Sequence, residues 1–185
     1  PIHYALINES IETVWVLLQS GTDLSLSAVN TRWKGKCTPE QALFQMRKRI
    51  EPEVYTPLVL MLNKFVKGPS VVWIRHAESI LNRAFAKNEN TTGIFDATLT
   101  REGGRVLEDI NFWVRKYDLL NEYDVFVSPL ERTLETCLII TAGTKVKPVA
   151  DHRICERLNH TGSVGKPRNL LESSYKWDFS RVPSH

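Results

Sequence analysis

The stretch that most constrains this chain is Val71-Val72-Trp73-Ile74-Arg75-His76-Ala77-Glu78-Ser79. Four apolar residues, β-branched or aromatic, run straight into an arginine and a histidine. A short apolar run behind a turn signal, here Gly68-Pro69-Ser70, predicts a buried strand of a parallel sheet. In open α/β sheets the ligand crevice lies outside the carboxyl ends of the strands. Arg75 and His76 are expected at that end, a guanidinium to clamp an anion beside an imidazole that could attack it.

Further pieces follow in order. Thr100 is the expected N-cap of a helix whose buried stripe is Val106, Leu107, Ile110, Trp113, Val114 and Tyr117. Asp124–Val127 reads as a second strand ending in Ser128-Pro129-Leu130-Glu131-Arg132. Arg132 then falls in the first turn of a helix, where free N–H groups and the positive dipole end favour an anion. Val146–Ala150 reads as a third strand, and Asp151–Glu156 as a crossing over the same edge. Arg75, His76, Arg132 and Glu156 are thus expected at one rim. Two guanidiniums can hold a phosphoryl group, the imidazole can attack phosphorus, and Glu156 can protonate the leaving oxygen. The polar residues 83–95 read as a loop over the strand ends, and that loop and the tail from His160 onward would shape specificity. His152 and His160 are either substrate-side groups or ordinary loop histidines. Cys137 and Cys155 read as packing residues, and Trp15, Trp73 and Trp113 as core.

These pieces closely resemble the histidine phosphatase superfamily, the phosphoglycerate-mutase-like group. Arg75-His76-Ala77-Glu78-Ser79-x-x-Asn82 is similar to its opening motif, with Ala77 where Gly is commoner. Asp96-Ala97-x-Leu99-Thr100-x-x-Gly103 and Ser128-Pro129-Leu130-x-Arg132-Thr133-x-x-Thr136 resemble the second and third, and Glu156-Arg157 resembles the acid segment. Gly165 through Ser180 resembles the substrate-loop segment of broad-specificity relatives. The resemblance implies a three-layer α/β fold with a mostly parallel sheet over residues 71–185. It implies a phosphohistidine on His76 and a phosphoryl group bound by Arg75, Arg132 and Asn82. It also implies Glu156 as proton donor, with no metal and no cofactor. The substrate would be a phosphorylated small molecule or a phosphoprotein. The family's final Ser-His-Gly-type motif is not found. Val182-Pro183-Ser184-His185 does not supply it, because no apolar strand is expected before Ser184 and Pro183 breaks the run. The fold is therefore expected to be incomplete at its C-terminal side.

Residues 1–67 read differently. Ile2, Ala5 and Leu6 share one helical face, and Ile11, Val14, Trp15, Leu17 and Leu18 make a second stripe that Gly21 ends. Pro1-Ile2-His3-x-Ala5 followed by Leu17-Leu18-x-x-Gly21-x-Asp23 resembles an ankyrin repeat, cut by the chain start, with His3 in the structural position of that family. Gly35-Lys36-Cys37-Thr38-Pro39 resembles the entry to a second, degenerate repeat, with a helix from Pro39 to about Arg49 and another capped by Thr56 with Pro57 first. A plain helical extension of the second domain is the alternative. The expectation is an all-α repeat segment that binds a protein partner. The cut repeat and the missing motif together suggest a fragment of a longer chain.

Composition narrows the class further. With 42% apolar and 24% charged residues the chain is expected to fold. A net charge of +3 makes no case for nucleic acid or a membrane surface as partner. Cys37, Cys137 and Cys155 are scattered without a CxxC pair, which suggests reduced thiols in the cytoplasm. Two functions stay open at this point. One is a phosphomonoesterase acting through His76. The other is a catalytically inactive phosphatase-fold scaffold within a larger assembly.

Overall fold

The computed structural model describes residues 2–25, 28–29, 36–65, 71–156 and 161–184. Pro1, Gly35, Lys67-Gly68-Pro69-Ser70, Arg157, His160 and His185, all used in the sequence reading, lie outside the described residues. The chain divides into two compact units, Pro1–Ile74 and Arg75–His185.

The first unit holds helices α1 (Ile2–Ile7) and α2 (Ile11–Gln19), a hairpin of β1 (Ala28–Val29) and β2 (Lys36–Cys37), then α3 (Pro39–Met46) and α4 (Pro52–Phe65). α1 packs on α3 and α2 on α4. Ile2, Ala5, Leu6, Val14, Leu18, Ala42, Leu43, Met46, Leu58 and Met61 are buried. Thr38 starts α3 by exchanging hydrogen bonds with Gln41, its N–H donating to Oε1 at 3.0 Å and its Oγ1 accepting from Gln41 N–H at 3.4 Å. His3 Nε2 donates to the carbonyl of Cys37 at 2.9 Å, tying the first helix to the hairpin.

Three expectations are corrected here. The segment is not all-α, because β1 and β2 pair antiparallel, with Ala28 opposite Cys37. A link between helix pairs must satisfy its own backbone groups, and a ladder does so. The last helix begins at Pro52, with Pro57 inside it. The N–H groups of Val54 and Tyr55 bond to the Glu51 carbonyl at 3.0 and 2.9 Å, so the first turn forms upstream of Pro57. A proline so near the start removes one internal bond, and the buried face of Leu58, Leu60, Met61 and Leu62 offsets it. Finally, the apolar run Val71–Ile74 forms no strand. Val71 is 77% exposed and Trp73 80%. An apolar run becomes a buried strand only when a sheet accepts it, and none of the strands described here pairs with it.

The second unit is α/β. It comprises α5 (Ile80–Ala86), α6 (Arg101–Lys116), β3 (Phe126–Val127), α7 (Glu131–Thr141), β4 (Val149–Asp151), α8 (Arg168–Ser174) and β5 (Asp178–Arg181). The sheet order is β3-β4-β5 and both pairings are parallel, with Phe126 opposite Val149 and Val149 opposite Asp178. Parallel pairing puts the carboxyl ends of all three strands at one edge. Val127, Leu134, Cys137, Ala150, Leu171, Tyr175, Phe179 and Val182 form the core. α6 lies on α7 through its buried face of Leu107, Ile110 and Val114.

Two more expectations change. Residues 83–86 are helical, because Ser79 caps α5 and Asn82 returns a bond to it. The tail read as a substrate loop supplies α8 and β5, so a strand does precede Ser184, with Phe179 buried on its inner face. Its sequence, Asp178-Phe179-Ser180-Arg181, has a single apolar residue, too little apolar pattern to announce a strand. No helix among the described residues is long and apolar enough to cross a membrane.

Candidate active site

The site is assembled at the carboxyl edge of the sheet. β3 ends at Val127, the chain turns through Ser128 and Pro129, and α7 begins at Glu131. Thr133 Oγ1 bonds to the carbonyls of Ser128 and Leu130, both at 2.6 Å, and holds that turn. Leu130, the N-cap residue, has an apolar side chain and no side-chain cap bond. Asp96 supplies the acceptor from another loop. Its Oδ1 accepts from Glu131 N–H at 2.8 Å and its Oδ2 from Lys166 N–H at 3.0 Å. Asp96 is buried with φ +37°, a region that Asp tolerates better than most residues. Burial raises its carboxyl above the ordinary range, against the pull of these two N–H donors.

Arg132, the second residue of α7, is 2% exposed. Its Nε–H donates to His76 Nε2 at 3.2 Å, its Nη1 to the Gly162 carbonyl at 2.8 Å and its Nη2 to Glu156 Oε2 at 2.6 Å. Glu131, next to it, is turned toward the Tyr175 hydroxyl and Lys166 Nζ, each 3.0 Å away. It therefore leaves Arg132's charge to the rim.

The same bonds settle the histidine tautomer. A guanidinium can only donate, so His76 Nε2 is an acceptor. A carbonyl can only accept, so Nδ1 carries the proton that it gives to Ala77 O at 2.7 Å. His76 is thus a neutral imidazole with its Nε2 lone pair turned to Arg132. Partial burial holds its pKa below the ordinary imidazole value. The charges of Arg132 and Arg75 add to this, while the Ala77 bond and Glu156 oppose it.

Of the residues expected at the rim, the structure brings together His76, Arg132 and Glu156. Arg75 is exposed and acts on His76 through its charge. Asn82 is not part of the group. Its Oδ1 accepts from Ser79 N–H at 3.2 Å and Ser79 Oγ at 3.0 Å, which is a helix-capping role. No hydrogen bond joins it to His76, Arg132 or Glu156. His152 Nδ1 donates to the carbonyl of Arg181, which uses it as a tie between β4 and β5.

Three further participants carry no assigned role in the sequence reading. Thr136 Oγ1 accepts from Ala77 N–H at 3.2 Å and donates to Arg132 O at 2.7 Å. Its place one turn after Arg132 on the same helix was the available signal. Asp96 opens the second motif quoted above, yet its capping role, like that of the Gly162 carbonyl, comes from loops folded back from far along the chain. Among the described residues no group of His, Cys, Asp and Glu could hold a metal ion. No protein-family model, curated protein or solved structure matches the chain.

Proposed function

We propose that the second unit is a phosphomonoester hydrolase of the histidine phosphatase type, with a phosphoglycerate-mutase-like fold. The observation that carries the reading is His76, neutral, with its Nε2 lone pair 3.2 Å from a buried guanidinium. As the phosphoryl group binds, Arg132 turns its Nε–H from His76 to a phosphoryl oxygen, and the freed lone pair attacks phosphorus as the bond from phosphorus to the ester oxygen breaks. Arg132, with Arg75 at the mouth, neutralises the charge gathering on the phosphoryl oxygens. Glu156 leaves Arg132, takes up a proton from solvent and gives it to the departing oxygen, and the carboxylate so formed then takes a proton from the water that cleaves the phosphohistidine. Histidine, alcohol and orthophosphate are released in balance.

The first unit is read as ankyrin-type repeats that bind a protein partner. The stacking of α1 on α3 and α2 on α4, and the His3 bond to Cys37, support this. A reducing cytoplasmic setting belongs to the same reading. A second reading, an inactive scaffold, is favoured by one feature. Arg132 is already spent on Glu156, Gly162 and His76, so a phosphoryl group must compete with protein acceptors.

The test is hydrolysis of an aryl phosphate by the folded chain beside His76→Ala. Turnover that disappears in the variant supports the enzyme. No turnover from folded protein selects the scaffold.

A further inference from the structure

His76 and Arg132 are joined by a closed ring of hydrogen bonds. Arg132 Nε–H donates to His76 Nε2 at 3.2 Å, and His76 Nδ1–H donates to Ala77 O at 2.7 Å. Ala77 N–H donates to Thr136 Oγ1 at 3.2 Å, and Thr136 O–H donates to Arg132 O at 2.7 Å. The ring begins on the side chain of Arg132 and ends on its own carbonyl. Thr136 supplies the ring's one side chain that is neither the nucleophile nor the clamp, since Ala77 takes part only through its backbone. It is 5% exposed, so its hydroxyl works away from water. It grips the peptide that follows His76 and anchors it to the backbone of the helix that carries Arg132.

We infer that Thr136 is a positioning residue, setting the distance and angle between His76 Nε2 and the Arg132 guanidinium. The residue is twice constrained: it must accept from Ala77 and donate to Arg132, which a hydroxyl does and a methyl cannot. Its place on α7 makes the nucleophile follow the clamp if the helix shifts. Without the hydroxyl, the Ala77 N–H loses its acceptor and, among the described residues, the hydrogen bond left between His76 or Ala77 and α7 is the one to the ring nitrogen. The consequence for phosphoryl transfer rests on the proposed function, whereas the geometric claim does not.

The experiment uses the full chain with Thr136→Val, close in shape but without the hydroxyl, and Thr136→Ser, which restores it. Two quantities are read. One is the titration midpoint of the His76 imidazole by NMR, with and without orthophosphate. The other is kcat/KM for an aryl phosphate. In Thr136→Val the midpoint rises toward that of a free imidazole, and kcat/KM falls about 10- to 100-fold, the scale of a small misplacement of reacting groups. Thr136→Ser returns both toward wild type. If Thr136→Val does not fold, Thr136→Cys, near in volume and a weak donor, is read in the same way. A lower melting temperature with an unmoved His76 midpoint and unmoved kcat/KM would overturn the inference and leave Thr136 a structural residue. Absence of hydrolysis in wild type removes the phosphatase reading, and the NMR arm still decides the role of Thr136.

Discussion

Arg132 gives its Nε–H to the Nε2 of His76 across 3.2 Å, although the two residues lie 56 positions apart in the chain. The contact joins a residue beside an exposed apolar run to one buried at the start of α7. The charge and the lone pair that the proposed phosphoryl transfer would use therefore meet through tertiary structure.

Arg132→Lys should weaken orthophosphate binding by about tenfold or more, since an ammonium cannot reproduce a planar fork of donors. The Gly162 carbonyl and His76 Nε2 lose fixed donors, so stability should also fall, by about 1–3 kcal/mol. Isothermal titration with orthophosphate and urea unfolding measure the two effects separately. Unchanged affinity would remove Arg132 from the anion site.

His76 sets a pH dependence with a definite sign. Its folded pKa lies below the unfolded value of about 6.5, so between the two values the unfolded chain binds more protons. Stability contributed by the neutral ring is therefore complete above that window and is lost as pH falls through it. Burial raises Asp96 and Glu135, which act in the opposite sense at lower pH. The difference between wild type and His76→Gln in urea midpoint across pH isolates the histidine. For an enzyme, the acid limb of kcat/KM should lie below that of a free imidazole.

Glu156→Gln should separate binding from chemistry. Its carboxylate competes with an incoming anion for Arg132 Nη2. Glu156 is 53% exposed, so the ion pair is screened and its loss should tighten orthophosphate binding by only about two- to fivefold. Turnover of an alkyl phosphate, whose leaving oxygen needs a proton, should fall about 10²- to 10⁴-fold. An aryl phosphate should fall much less. Equal losses on both substrates would contradict the role of proton donor.

Gly103 and Gly104 sit side by side in α6 and should respond in opposite ways. A Cβ on Gly103 would lie 2.5 Å from the backbone oxygen of Glu78, while one on Gly104 meets nothing within 4 Å. Thr100 N–H donates to that same Glu78 oxygen at 2.9 Å, so the helix start cannot back away without breaking a bond. Gly103→Ala should destabilise by about 1–3 kcal/mol, and Gly104→Ala should stabilise by about 0.5–1 kcal/mol. Melting curves of the pair provide the check, each variant controlling for helix propensity in the other.

Thr100 as a cap and Arg132 in the first turn of a helix were legible because caps and first turns are written in adjacent residues. The strand read over 124–127 forms at 126–127, and it leads into the helix at 131–141 that carries Arg132. Asn82 was legible as a polar group near the strand end, but its capping bond to Ser79 was not read, because a capping partner and a phosphate ligand can use the same amide. Ser79, three residues earlier, was the available clue. The tail 165–180 misled because Phe179 is the one apolar residue of β5 and its burial depends on α8 and the core beneath.

By itself the sequence determined where helices start, which side chains are chemically able to bind and attack a phosphoryl group, and that they follow β-prone segments. Those properties are local, set by capping, periodicity and residue chemistry. Only the tertiary structure decided that Val71–Ile74 stays unpaired, that Asp96 caps a helix 35 residues away, and that Thr136 closes the ring around His76. Each of these depends on which donor finds which acceptor once the chain has folded, and pairing over such separations leaves no periodic trace in the residues themselves.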